Sequence, residues 1–438
     1  MITNESFVCE NIAVNEKGHL TFGGQDTVAL AEKYKTPLYL MDEDRIRHNC
    51  RTYKNAFRKA FGENALPLYA SKANSFKQIY RIVQEEGMGI DVVSCGEIFT
   101  AYSAGFDLQN AYFHSNNKTD EDIVYAMDHG VGYFVADNTE EIKVIEAEAA
   151  RRDTVQNVLL RLTPGIDPHT YAAVNTGEVD SKFGSAIETG QAEEAVKYIL
   201  AQKHVKLCGF HCHVGSQVFA EDVYERASVV MLEFIADMKK KYGYVTDELD
   251  MGGGYGVRYV NTDPYLDVET KIGEIAAVIK ATCERLSIPV PKFMMEPGRS
   301  IVADAGMTLY TVGTIKRIPG YKNYVSIDGG MTDNPRFALY GSKYTCLPAN
   351  KMTEERELLC SLVGRCCESG DIIQQNISFP ESTERGDIAA VCTTGAYNYS
   401  MASNYNRLPR PPIVMLKGGD SYITVKRETL ENIACLDI

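Results

Sequence analysis

LPLYASKANSF, residues 66–76, runs apolar from Leu66 to Ala70 and breaks at Ser71-Lys72-Ala73-Asn74. A lysine at the end of a buried strand is ordinarily a solvated end residue. It can also be a nucleophile held at the mouth of a core. The two readings separate on what other strand ends carry, and the chain offers seven more. Short apolar runs recur at Gly89–Val93, Ala111–His114, Gly132–Ala136, Asn157–Leu162, Leu207–His213, Glu248–Met251 and Lys292–Glu296. Helical patterns lie between several of them. Ser75–Gln84 opens on Ser75 as a capping residue, and Thr119–Asp128 opens on Thr119 with acids in its first turn. Thr139–Arg151, Glu221–Lys241 and Asp267–Leu286 complete the set.

Eight strand–helix units over ~230 residues match a (β/α)8 barrel, typically about 250 residues long. Continuous apolar strands suit a parallel sheet covered on both faces. A doubly wound sheet is the alternative, because short runs such as Glu248–Met251 leave the count open. Beyond about residue 300 the pattern changes to β-rich runs separated by Gly, Pro and polar turns. They are Met307–Ile318, Tyr324–Ile327, Leu358–Val363, Asp387–Val391, Ile413–Leu416 and Tyr422–Val425, with another strand pair around Gly18–Phe22. The expected architecture is α/β: a TIM barrel over residues 36–300, and a β-sandwich or β-barrel domain built from residues 1–35 and 301–438.

The 438 residues carry a formal net charge of -14. That disfavours nucleic acid and anionic membrane surfaces as partners, since both reward a basic face. No apolar run approaches the ~20 residues of a membrane span. MITNESFVCE lacks the basic and apolar regions of a secretory signal. The twelve cysteines are therefore read as reduced thiols of a cytoplasmic protein. Cys208, His211, Cys212 and His213 crowd together, but on a strand the histidines share one face and Cys212 the other. With no second ligand pair, no metal is expected there.

In a barrel of this kind the chemistry sits at the C-terminal ends of the strands. Lys72 follows the first run; Asp91 and Ser94 end the second, and His114 the third. Arg161 lies near the end of the fifth. His213 ends the sixth, followed by Gly215-Ser216, and Gly252-Gly253-Gly254 follows the seventh. Glu296-Pro297-Gly298-Arg299 ends the eighth. Each alone is better read as a loop charge or a satisfied core residue. All of them at one barrel mouth point to a site. A triglycine turn lets the backbone approach closely and present N–H groups to an anion. A lysine facing such a phosphate cradle suggests pyridoxal 5′-phosphate (PLP), held covalently by Lys72. His213 would stack on its ring. Glu296 would pair with the ring nitrogen and keep it protonated, which suits loss of CO2 from an α-carbon.

These segments resemble the PLP-dependent decarboxylases with the alanine-racemase-like barrel, fold type III, and most closely their diaminopimelate decarboxylase branch. The likeness rests on YASKAN (69–74), GIDVVSCGEI (89–98), FHSNNK (113–118), LRLTPGIDPHT (160–170), SKFG (181–184), GFHCHVGSQ (209–217) and LDMGGGYG (249–256). EPGRSIVADAG (296–306), DGGMTDNPRFALY (328–340), CESGD (367–371) and GAYNYSMASNYN (395–406) continue it in family order. The resemblance implies that Lys72 binds PLP and that Asp91, His213, Ser216, Gly253, Gly254, Glu296, Gly298, Arg299 and Tyr397 hold it. It implies substrate binding by Arg299, Arg336, Tyr340, Glu368 and Tyr397, and proton donation by Cys367. It further implies an obligate homodimer with shared active sites, CESGD reaching the partner's site from the β-rich domain.

The expected reaction is decarboxylation of meso-2,6-diaminopimelate to L-lysine. The residues agree on substrate type: a distal carboxylate wants a bidentate arginine, whereas ornithine and arginine end in a cation. Structural ion pairs are the plainer reading of Arg299 and Arg336 taken without the motifs. Decarboxylation of carboxynorspermidine, ornithine or arginine on the same scaffold is the alternative, as is a non-catalytic PLP-binding protein. The sequence departs from the family pattern at Pro335 and Phe337 around Arg336, at Tyr344 where many members carry histidine, and at Cys366 beside Cys367.

Overall fold

A computed structural model describes residues 7–166, 181–220 and 222–438. Eight strands form its central ring: β1 (Ala65–Ala70), β2 (Gly89–Val92), β3 (Ala111–Phe113), β4 (Tyr133–Ala136), β5 (Gln156–Thr163), β6 (Val205–His211), β7 (Glu248–Asp250) and β8 (Lys292–Met295). Each pairs in parallel with the next. β8 returns to β1, with Phe293 opposite Ala65 and Met295 opposite Pro67. The barrel is closed, so all eight C-terminal ends share one rim.

The register explains the interior. Leu68, Tyr112, Val135, Leu159, Cys208 and Met294 come from six different strands and pack into one buried cluster. Nearer the N-terminal rim the Tyr112 and Tyr133 rings stack 4.3 Å apart. The Tyr112 hydroxyl donates to Glu248 Oε2 at 3.3 Å, and Lys292 Nζ lies 3.3 Å from Oε1 of the same carboxylate. That polar cluster is satisfied within itself. Gly89 is required by the packing: a Cβ there would fall 2.5 Å from Leu68 Cδ2 and 2.8 Å from the Asn110 carbonyl.

Helices alternate with the strands much as the periodicity predicts. Thr119 caps Asp120–Asp128 in a reciprocal capping box with Asp122. Asn138 caps Thr139–Arg151, and Asp267 caps Val268–Leu286. Ser75 is not a cap. The helix starts at Lys77, which puts Phe76 in the capping position, and the Ser75 hydroxyl meets Tyr80 Oη at 2.9 Å. The Glu221–Lys241 prediction corresponds to Val223–Tyr242; Glu221 lies outside the described residues. β6 ends at His211, so His213 sits two residues beyond the strand.

The chain forms two compact units: Asn49–Gly256 with Leu266–Gly298, which is the barrel, and Met1–His48 with Val257–Tyr265 and Arg299–Ile438. Residues 36–48, read from sequence with the barrel, fall in the second unit. The reason is pairing: Leu38–Asp42 lies between Gly306–Ile318 and Ile413–Lys417 in that unit's branched, mainly antiparallel sheet. Period-2 alternation divides its side chains between two cores. Met307 and Leu309 join Leu38, Leu40, Val414 and Leu416 in one. Tyr310 and Val312 join Val325, Ala389 and Val391 in the other. No described helix is long and apolar enough to cross a membrane.

Leu68 is fully buried in the barrel layer. Leu68→Ala is expected to lower barrel stability by about 2–5 kcal/mol, read as a lower thermal or urea midpoint of the full chain. An unchanged midpoint would show that the layer does not carry the barrel.

Candidate active site

The first strand ends as LPLYASKANSF suggests. β1 stops at Ala70, and Ser71–Ala73 make a single 3-10 turn that lifts Lys72 off the sheet. The Lys72 side chain keeps 42% of its surface exposed, yet its Nζ lies 3.0 Å from the fully buried Asp91 carboxylate at the end of β2. It is an accessible amine with a fixed anion behind it. Gly298, after β8, packs against the same turn. A Cβ there would fall 2.8 Å from Ala70 Cβ and 2.9 Å from the Ala70 carbonyl.

Glu296, just past β8, is buried at 3% exposure. His114 Nε2 lies 2.7 Å from its Oε1, and His211 Nε2 lies 3.4 Å from its Oε2. Burial alone would raise this carboxyl, but the two imidazoles more than offset that and hold it well below the usual carboxylate range. His211 itself is pushed down to about 3 by burial, against the pull of Glu296. At 3.4 Å it is a close neighbour of the Glu296 carboxylate and not a charged partner. Asp250, at the end of β7, takes the opposite course. Burial, then the charge of Glu296, holds it well above its ordinary value.

The triglycine turn is built against these groups. A Cβ on Gly253 would meet the Glu296 carbonyl at 2.1 Å, and one on Gly254 the Gly215 carbonyl at 2.1 Å. Gly252 and Gly254 adopt φ +67° and +120°, where a side chain is strained. Val218 N donates to the Gly254 carbonyl at 2.9 Å, which ties the turn to the Gly215-Ser216 loop after β6. Gly253 N donates to His213 Nδ1 at 3.2 Å. An N–H can only donate, so Nδ1 accepts and the His213 proton sits on Nε2. Although partly exposed at its surface, His213 is held well below its ordinary value by desolvation, then by the Lys72 and Arg161 charges. It offers an uncharged ring face.

The second unit gathers a different set. Arg299 Nη1 donates to Tyr259 Oη at 2.6 Å, and its guanidinium lies 4.7 Å from the Tyr397 ring centroid. The Arg336 guanidinium sits 5.2 Å from Tyr340 and 5.3 Å from Tyr397. Pro335 stands at the N-cap of the short helix Arg336–Tyr340, which settles the path of the unusual DNPRF segment. Tyr344 is buried edge-on to Tyr259. Arg336 is buried, pairs with no carboxylate and leaves its Nε without a hydrogen-bond partner among the described residues. Cys367 and Glu368 lie on an exposed turn, where Cys367 N donates to Asn406 Oδ1 at 2.8 Å. Cys366 is more enclosed, and burial, then the Asp371 charge, pushes its thiol up to about 11.

The barrel residues fit PLP. An accessible amine suits an aldehyde carbon, a glycine turn a phosphate, and a buried ionised carboxylate a pyridinium nitrogen. A family model described as pyridoxal-dependent decarboxylase, pyridoxal binding domain, matches residues 43–303. The diaminopimelate decarboxylase of Bacillus subtilis (strain 168) is 43% identical over 424 residues, covering 97% of this chain and 96% of its own. The chain belongs to the diaminopimelate decarboxylase family. The Staphylococcus aureus (strain COL) member is 42% identical over 426 residues, covering 97% of this chain and 99% of its own. A diaminopimelate decarboxylase from M. jannaschii, solved in complex with L-lysine, superposes with a TM-score of 0.90 at 31% identity over 98% of both chains.

Sequence reasoning left three family-site neighbours unassigned. His114 was visible as a strand-end histidine and His211 only as one of a Cys/His crowd, and their convergence on Glu296 needs the ring closure. Asp250 faces His211 and Met294 in register, and only that register reveals its neighbour. The Asp167–Thr170 part of LRLTPGIDPHT lies outside the described residues.

Asp333 anchors the loop that leads to Arg336: its Oδ1 accepts from Gly330 N at 2.9 Å. Burial raises it from 3.8 to about 7, against the Gly330 and Tyr310 hydrogen bonds. Between those values the folded chain binds more protons than the unfolded chain, so this group's contribution to stability falls as pH rises through the window. Asp333→Asn is expected to flatten the pH dependence of the melting temperature between pH 4 and about 7; an unaltered profile would refute the assignment.

Proposed function

We propose that the protein decarboxylates meso-2,6-diaminopimelate to L-lysine and CO2, with PLP bound at Lys72, as a cytoplasmic homodimer. Likeness to diaminopimelate decarboxylases over nearly the full chain supports the reaction. Arg336 carries the choice of substrate. A buried guanidinium with no carboxylate of its own among the described residues, braced by Tyr340 and Tyr397, suits a ligand that brings a carboxylate. The distal end of ornithine or arginine would place a second cation there.

When bound, PLP supplies the electron sink for the negative charge left on the α-carbon as CO2 departs. Glu296, ionised and buried, keeps the proton on the ring nitrogen. The Gly252–Gly254 turn and Ser216 would hold the phosphate end, and the neutral His213 ring would stack on the cofactor. Asp91 fixes the Lys72 amine at the barrel mouth. Arg299 and Arg336 bind the substrate's distal carboxylate with Tyr340 and Tyr397, and Glu368 binds its distal ammonium. Cys367 delivers its thiol proton to the α-carbon in place of the lost carboxylate. The exposure of Cys367 and Glu368 in the single chain fits their delivery to a partner's barrel.

The deciding assay is CO2 release from meso-diaminopimelate, ornithine, arginine and carboxynorspermidine. Activity confined to substrates without a distal carboxylate would sink the proposal. Arg336→Leu is expected to weaken kcat/KM for meso-diaminopimelate by about 2–5 kcal/mol, as for truncating one partner of a buried charge pair, mainly through KM. Cys367→Ala is expected to keep PLP and its absorbance while kcat falls about 10²–10⁴-fold; Cys366→Ala is expected to leave kcat near that of the parent.

A further inference from the structure

Asp250 is a second carboxyl at the heart of the barrel mouth, to which the proposed mechanism gives no task. It is fully buried. Its Oδ1 accepts from Gly252 N at 2.8 Å. Its Oδ2 meets no N–H or O–H donor among the described residues, yet the carboxyl lies within hydrogen-bonding reach of Glu296. Two buried carboxylates in contact cannot both be anions without strong repulsion, whereas one proton between them turns the clash into a hydrogen bond.

The surroundings decide where the proton sits. Both imidazoles approach Glu296, His114 at 2.7 Å and His211 at 3.4 Å. Asp250 has no such partner: its Oδ2 meets no donor among the described residues. Glu296 therefore keeps the charge and Asp250 the proton. Backbone contacts complete the connection: Glu296 N donates to the Gly252 carbonyl at 3.0 Å, and Gly253 has no room for a Cβ against the Glu296 carbonyl.

We infer that Asp250 is a neutral, proton-bearing positioning residue that holds Glu296 and the triglycine turn as one hydrogen-bonded unit. One carboxylic acid thereby orients both ends of the cofactor site: its O–H donates to the carboxylate meant for the ring nitrogen, and its other oxygen receives the N–H that fixes the turn meant for phosphate. This inference rests on the reading of Glu296 as the ring-nitrogen partner, but the protonation of Asp250 stands independently of it.

The test compares Asp250→Asn with Asp250→Ala in the full-length protein. The amide of asparagine keeps one donor and one acceptor, so Asp250→Asn is expected to retain PLP affinity and the cofactor's absorbance maximum. Asp250→Ala is expected to weaken PLP binding by about 10–100-fold, the range found when an outer-shell partner of a metal ligand is removed, and to shift the maximum. An Asn variant as impaired as the Ala variant would overturn the inference, as would an Ala variant indistinguishable from the parent. The infrared difference spectrum between cofactor-stripped parent and Asp250→Asn at neutral pH gives a readout without cofactor or activity. It is expected to contain the C=O stretch of one protonated carboxyl, and its absence would also overturn the inference, whether or not the Ala variant folds. An unchanged cofactor spectrum in Glu296→Gln would instead sink the ring-nitrogen reading and leave the infrared result standing.

Discussion

Closure of the parallel ring is the constraint on which the rest depends. Parallel strands need partners on both edges, and an open eight-stranded sheet would leave two edges unpaired. Pairing β8 with β1 removes both. It also forces every strand to end at the same rim, so residues more than 200 positions apart, Lys72 and Glu296 among them, are carried to one mouth. The tight passages follow from this. Gly89 and Gly298 are glycines because neighbouring strands and turns leave no room for a Cβ, and Gly253 because the Glu296 carbonyl occupies that space.

Within that mouth the charges are arranged by desolvation and by partner, not by residue type. Asp91, Asp250 and Glu296 are all buried acids. Asp91 faces a lysine and Glu296 faces two imidazoles, while Asp250 faces another acid. The same chemical group thus serves as counter-ion, as buried anion and as neutral acid. His213 shows the same logic in reverse: desolvation, then the nearby Lys72 and Arg161 charges, hold it well below its ordinary value, and an N–H aimed at Nδ1 sets its tautomer. On the proposed reading Glu296 is the anion for a cationic ring nitrogen, and a neutral Asp250 leaves no second anion beside it.

The β-rich unit follows a simpler rule. Alternation along Gly306–Ile318 sends Met307 and Leu309 to one core and Tyr310 and Val312 to the other. Its buried arginines are braced by tyrosines: Arg299 by a ring face and a tyrosine hydroxyl, Arg336 by two ring faces that attract the cation without consuming its hydrogen-bonding edge. Ion pairing, the plainer expectation for such arginines, is not what Arg336 does among the described residues.

Much of this was legible in the chain itself. Apolar runs at regular spacing gave a covered parallel sheet, because such a strand must be apolar on both faces, and their number favoured a barrel over a doubly wound sheet. Lys72, the triglycine and Glu296 were visible because each follows such a run. Local signals were less exact: Ser75 looked like a cap, yet the helix began one residue too late for it. Residues 36–48 were counted with the barrel, because an apolar run such as Leu38–Asp42 does not say which sheet it will join. Tertiary structure alone decided that, and it alone brought His114, His211 and Asp250 to Glu296. The physical reason is that sequence spacing fixes where a side chain leaves its strand, whereas its proton and its charge depend on what closure places opposite it.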